Sequence, residues 1–223
     1  MLKTLALKEL RETILIALAA LVVYAHLVGT SMGFNSLPGY YLPGFYPDAH
    51  VIPFVGGGFR ETLTLVSAGL AIALGLRQSV GESVRDTFVF LLHRPVRRER
   101  LIAVKLLTGA GVYLVCAALP ILLYAWWAVT PRTHASPFSW SMTLPAWQVY
   151  VSLTAVYLGA FLSGMRPGRW IGTRLWPLAA AGGLAWRIQA IPCWWVLGLG
   201  ALVLMNVVLT ANILFAARNR DYS

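Results

Sequence analysis

Charge is what this chain has least of. Only 12% of its 223 residues are Asp, Glu, Lys or Arg, while 58% are hydrophobic; a soluble domain carries about 25% charged residues. That deficit excludes a soluble globular protein and makes the chain integral to a membrane. Acids are scarcer still, eight in all, and most fall in loops on one side of the expected bilayer. A membrane-embedded enzyme acting on lipid would need acids or histidines converging at one depth, and the sequence offers no such cluster. Cysteine is nearly missing as well: Cys116 and Cys193 both lie in or beside apolar runs, with no C-x-x-C spacing and no histidine at a metal-ligand interval. A disulfide or metal framework is therefore not expected, and both thiols read as small buried apolar groups. There is no G-x-x-x-x-G-K-[ST] loop to cradle phosphates. The run Gly56-Gly57-Gly58 lacks the following Lys and Ser or Thr.

What is there, in place of charge, is a series of apolar runs. An α-helix needs roughly 20 apolar residues to cross the hydrocarbon of a bilayer. Runs of suitable length occupy residues 13–30, 51–76, 106–129, 144–164, 170–188 and 194–217. The fifth is the poorest, because Arg174 and Pro177 interrupt its start and Gly182-Gly183 loosens its middle. The fold expected is an all-α integral membrane protein with six transmembrane helices and both termini on the cytoplasmic side. No loop is long enough to hold a second domain, so residues 1–223 form a single unit. Lys3, Lys8 and Arg11 precede the first run as they would in a signal peptide. That run exceeds the roughly 7–15 residues of a signal h-region, and it is read as a retained span.

The basic residues fix the expected orientation. Cytoplasmic loops of membrane proteins collect Lys and Arg. With the N-terminus inside, fifteen of the eighteen fall on the cytoplasmic side: Lys3, Lys8, Arg11, Arg77, Arg85, Arg94, Arg97, Arg98, Arg100, Lys105, Arg166, Arg169, Arg174, Arg218 and Arg220. Arg60, Arg132 and Arg187 remain outside. Seven tryptophans, Trp126, Trp127, Trp140, Trp147, Trp186, Trp194 and Trp195, gather at the expected outer ends, and Trp170 and Trp176 mark an inner one. Indole rings favour the membrane–water interface. The outer segment 31–50 is rich in Gly, Pro and aromatics, and its Leu-Pro-Gly-Tyr-Tyr-Leu-Pro-Gly-Phe-Tyr-Pro stretch reads as irregular chain lying over the surface.

Two charged segments stand out. Over residues 1–12, Leu2, Leu5, Ala6 and Leu10 alternate at helical spacing with Lys3, Lys8, Glu9, Arg11 and Glu12, as in a helix lying in the inner interface. Residues 77–105 hold seven basic residues between two apolar runs. Within them Val80, Val84, Phe88, Leu91 and Leu92 recur on one face of a helix, with Glu82, Ser83, Arg85 and Asp86 on the other. Pro95 cannot continue that helix, and it pushes Arg94 toward an extended conformation. Arg97, Arg98 and Arg100 then restart a helix that runs through Lys105 into the third span. An arginine cluster alone would serve topology or anionic lipid. The amphipathic helix ahead of it points to the docking of a soluble partner.

These segments resemble the membrane subunits of ABC exporters of the type-2 permease family. Members tend to show an acidic residue, a Leu-Leu pair, a small or polar residue, Arg-Pro, an aliphatic residue, further basic residues and a Lys opening the third span. Here the matching positions are Glu82, Leu91-Leu92, His93, Arg94-Pro95-Val96, Arg97-Arg98 and Lys105, and Lys8-Glu9-Leu10-Arg11-Glu12 resembles the family's opening helix. His93 stands where Ser or Ala is commoner, and Arg85-Asp86-Thr87 replaces a usual Glu-Gly-Thr. The resemblance implies that residues 81–92 are a coupling helix seated on a separate ATP-binding subunit, with Arg85, Asp86 and Phe88 among its contacts. It implies a second permease subunit, ATP and magnesium held on the partner rather than on this chain, and a bacterial or archaeal cell membrane. This chain would have no catalytic, cofactor or metal residues of its own. A non-transport anchor for a soluble complex is the alternative that shares these features.

The remaining polar groups are weighed against packing. Gly29-Thr30-Ser31-Met32-Gly33 matches G-x-S-x-G, with Asp48 and His50 following. That motif works beneath an α/β sheet, and here it ends an apolar helix. His26, Asn206 and Asn212 lie within spans, where hydrogen bonds between helices are the ordinary use of such groups. Arg60 and Glu61 begin the outer end of the second span. Ser67, Ala71 and Gly75, each four residues apart, give a small-residue face for close helix packing, expected at a subunit interface. With few charges at membrane depth, the cargo expected is lipid-like or amphipathic.

Overall fold

A computed structural model describes residues 2–33, 52–56, 58–84, 98–131, 133, 137–166 and 173–219, with the side chains of Leu2, 81–84 and Asn219 left aside. Among the described residues the chain is helical throughout: α1 (Leu2–Ser31), α2 (Phe59–Val84), α3 (Arg98–Val129), a short 3-10 turn (Trp140–Thr143), α4 (Leu144–Ser152), α5 (Thr154–Met165), α6 (Trp176–Gln189) and α7 (Leu197–Asn219). Five helical stretches are long and apolar enough to cross a membrane: Lys3–Ser31, Phe59–Val80, Arg98–Val129, Trp140–Met165 and Leu197–Arg218. The protein is a multi-pass membrane protein. The difference from the expected six lies in α6. Its 14 residues reach about 21 Å at 1.5 Å per residue, short of a hydrocarbon core of about 30 Å.

The stretch Trp140–Met165 is the middle of the bundle. In its apolar window 72% of the residues are buried, against 22% for α1 and 17% for α7. It bends at Leu153, between α4 and α5, where the Leu153 N–H still reaches the Val149 and Val151 carbonyls. Both halves therefore keep their backbone bonded, as a lipid environment requires. Around it, α2 packs closely on α5 because Gly75 leaves room for it. A Cβ at Gly75 would lie 2.7 Å from Ala160 Cβ and from the Tyr157 carbonyl oxygen. On the opposite side of α5, a Cβ at Gly159 would lie 2.6 Å from Ala181 Cβ of α6. Small residues that bring backbones together are the usual means of packing helices in lipid, where hydrophobic drive between helices is absent.

Ser67, Ala71 and Gly75 thus serve close helix packing inside the chain. The Ser67 hydroxyl meets the Tyr24 hydroxyl at 2.7 Å, and Ala71 is fully buried in the main core. The second span also starts later than residue 51. Residues 52–56 and 58 precede α2 as turns and irregular chain, with Phe54 and Gly58 at positive φ (65° and 69°). The strain at Phe54 is offset by its ring, which sits 5.3 Å from Phe59 and 4.7 Å from Tyr124 between centroids. Cys116 is buried, as the sequence suggested, but Cys193 is exposed. It sits at positive φ (54°) in the turn before α7, so the reading of both thiols as core groups holds for one only.

The antiparallel packing separates the charges. Lys8, Arg11, Arg77, Arg98, Arg100, Lys105, Arg166, Arg174 and Arg218 come to one end of the bundle. Arg60 and Arg187 lie at the other, with Trp126, Trp127, Trp186, Trp194 and Trp195.

Candidate functional site

The basic end holds a layer of polar groups inside the helix bundle. The helix expected to lie apart over residues 1–12 is not a separate element. It is the first third of the continuous α1, and it packs against α2 and α3. Glu9 is carried inward by that packing. Its Oε1 lies 2.7 Å from the Lys105 ammonium, with the two side chains only 1% and 2% exposed. The contact is a close ion pair. Charged side chains inside a membrane protein are costly and mark functional positions by default. Replacing such a pair with well-packed apolar groups is often neutral or better, whereas removing one partner costs about 3–5 kcal/mol.

Around the pair, other polar groups close a network among four helices. Thr13 donates to the Glu9 carbonyl at 2.9 Å, one turn along α1. Gln78 of α2 donates from Nε2 to the Lys105 carbonyl at 3.1 Å. The Tyr157 hydroxyl of α5 donates to Gln78 Oε1 at 2.7 Å and also lies 3.2 Å from the Leu106 carbonyl. Gly109 makes this arrangement possible: a side chain there would run into Gln78 Oε1 and the Tyr157 hydroxyl. Buried polar networks of this kind hold helices in one register when every member is bonded.

An outer, more solvated set surrounds the layer. Glu12 lies 3.7 Å from both Lys8 and Arg77, and Glu99 pairs with Arg218, tying α3 to α7. Exposed pairs of this sort contribute little to stability. Arg174 closes the α5–α6 corner. Its Nη2 donates to the Gly164 carbonyl at 3.0 Å and its Nε to the Ser163 carbonyl at 3.3 Å, placing a cation where the last α5 carbonyls have no helical partners. In return the Ser163 hydroxyl accepts the Leu178 N–H in the first turn of α6 at 3.0 Å.

No protein family, characterised protein or solved structure matches this chain.

Of the sequence-predicted site residues, Glu9 and Lys105 come together. Glu12 joins the outer set with Lys8 and Arg77, while Lys3, Arg11 and Arg98 are exposed around it. Glu82 lies in the last turn of α2. Arg85, Asp86, Phe88, Leu91, Leu92, His93, Arg94, Pro95 and Arg97 lie outside the described residues. Val84, where α2 ends, and Arg98, where α3 begins, both lie at the basic end of the bundle. Gln78 and Tyr157 were missed. A Gln within an otherwise apolar helix was the available signal for the first; a Tyr in an apolar run carries none.

The other flagged groups are accounted for locally. Ser31 of the G-x-S-x-G match donates to the Leu27 carbonyl at 2.8 Å, a helix-end bond and not a nucleophile's setting. Arg60 reaches Gln189 Oε1 at 3.4 Å, joining α2 to α6 at the tryptophan-rich end. Asn206 donates to the Thr154 hydroxyl at 3.1 Å, and Asn212 to the Val208 carbonyl of its own helix at 2.8 Å.

Proposed function

We propose that this chain is the membrane permease subunit of an ATP-driven ABC exporter. In this reading both termini are cytoplasmic, and α6 with its flanking residues makes the sixth membrane segment. Residues 81–92 form a coupling helix that docks on a separate ATP-binding subunit. That subunit holds ATP and magnesium, a second permease subunit completes the pathway, and the cargo is lipid-like or amphipathic.

The observation that carries the reading is the Glu9–Lys105 pair with its Gln78 and Tyr157 supports. Together they join α1, α2, α3 and α5 at the end of the bundle where α2 ends and α3 begins. A docking segment transmits a partner's movement only if the helices on either side of it move as one body. A buried ionic and hydrogen-bonded layer near the end of α2 and the start of α3 supplies such a base. The resemblance of Glu82, Leu91-Leu92, Arg94-Pro95 and Lys105 to the family pattern supports the same assignment, and the basic end of the bundle agrees with a cytoplasmic face.

The test is Phe88→Asp, which places a charge on the apolar face of the proposed docking helix, where burial without a partner is costly. The expected result is loss of the co-purifying ATPase, or of its substrate-stimulated turnover, while the chain still inserts and purifies as before. Unchanged ATPase binding and coupled turnover would remove the reading.

A further inference from the structure

We propose that the outer face of α7, centred on Asn212, is the surface on which a second copy of this chain docks, side-chain amide to side-chain amide. Three helices of the bundle leave much of their surface outside it, and two of them do so with apolar groups alone. The exposed positions between Ile14 and Ala25 on α1 and between Leu107 and Trp126 on α3 carry no polar side chain. Lipid tails suffice for those faces. On α7 the exposed stripe Leu204, Val208, Ala211, Asn212 and Phe215 has an amide in its middle. Asn212 is six residues before Arg218, about 9 Å deeper along the helix axis, too far for a short side chain to reach the interface.

The amide's own bonding is incomplete. Nδ2 gives one hydrogen to the Val208 carbonyl. The second N–H and the carbonyl oxygen have no partner among the described residues. An unsatisfied amide in hydrocarbon costs several kcal/mol, so a partner that offers both an acceptor and a donor is favoured. A second Asn212 offers both, and across a two-fold axis each amide donates to and accepts from the other.

The neighbouring residues fit this occupant. Ala211 beside the amide allows the two helices to approach closely. Ala211, Asn212, Leu214, Phe215 and Arg218 line a shallow groove that can receive apolar side chains from a facing helix. Among the described residues the charge at the edge of the seam is Arg218, and Glu99 of its own chain matches it. The pairing needs no transport activity. Pairing with a different polypeptide, or through another helix, would overturn this proposal and leave the proposed function standing, whereas a purely monomeric chain would also remove the second permease subunit from that reading.

The test uses the full-length chain in native membranes, with Cys116→Ala and Cys193→Ser as background. Single cysteines are introduced by Val208→Cys and Phe215→Cys on the proposed face, with Leu18→Cys on α1 and Leu119→Cys on α3 as controls, and Asn212 is kept throughout. A short bis-maleimide should give a dimer-sized product from the α7 positions and little from the controls. Adding Asn212→Leu should raise the dissociation constant of the dimer in bilayers about tenfold, the loss expected of two interhelical hydrogen bonds in lipid. Cross-linking strongest from α1 or α3, products containing a different polypeptide, a purely monomeric chain, or no response to Asn212→Leu would each overturn the proposal.

Discussion

The Glu9 carboxylate and the Lys105 ammonium face each other at 2.7 Å inside the bundle, one from each of two helices far apart in sequence. Neither side chain has appreciable contact with solvent, so the pair acts as a unit whose members cannot be removed singly without penalty. We expect Glu9→Gln or Lys105→Met to destabilise the purified protein by about 3–5 kcal/mol. The double replacement Glu9→Leu with Lys105→Met should cost less than either single change. Thermal unfolding in detergent checks this. A double variant as unstable as the sum of the two would show that the charges are not coupled.

Two glycines in α3 should respond oppositely to the same change. A Cβ at Gly109 meets Gln78 and Tyr157, while one at Gly111 meets nothing within 4 Å. Gly109→Ala is expected to cost about 1–3 kcal/mol through overpacking. Gly111→Ala should be neutral or stabilising by up to about 1 kcal/mol through helix propensity. Equal effects at the two positions would contradict the packing of Tyr157 over α3.

The two native thiols provide a test of sidedness. Cys193 is exposed in the turn before α7 and Cys116 is buried. In intact cells an impermeant maleimide should label Cys193 and spare Cys116. With both native thiols replaced, Ser36→Cys should be labelled and Ser83→Cys protected. Labelling of Ser83→Cys from outside would reverse the orientation and remove the docking argument with it.

The proposed cargo can be tested through its partner. In vesicles containing this chain and its cognate ATPase, amphipathic compounds should stimulate ATP hydrolysis more than sugars or inorganic ions. The reason is that a strongly polar cargo needs a pathway able to replace its water. Stimulation confined to a small hydrophilic solute would refute the assignment.

Much of the architecture was legible because it follows from local pattern. An apolar run of some twenty residues has one low-energy state in lipid, a helix, and the runs near 13–30, 106–129 and 194–217 correspond to α1, α3 and α7. The start of α3 at Arg98, after Pro95, was equally readable from backbone chemistry. Where local and tertiary requirements diverged, the sequence misled. Residues 1–12 look amphipathic enough to lie on a surface, yet they continue α1, because Glu9 finds a buried cation there. Ser67, Ala71 and Gly75 announce a close contact without saying with what. The answer, α1 and α5 of the same chain, depended on which helices become neighbours. The run 170–188 carried a warning in Arg174 and Pro177, and its described helix, which opens at Trp176 with Pro177 in its first turn, has only 14 residues.

The sequence by itself determined that this is a membrane protein of apolar helices with one strongly basic end. Hydropathy and charge are properties each segment carries alone. Only the tertiary structure decided that Glu9 meets Lys105, that Gln78 and Tyr157 brace them, and that Asn212 is left facing outward. Such pairings exist only after helices distant in the chain have packed, and the energy that selects them, an ion pair or hydrogen bond screened from water, is set by the neighbours and not by the residue.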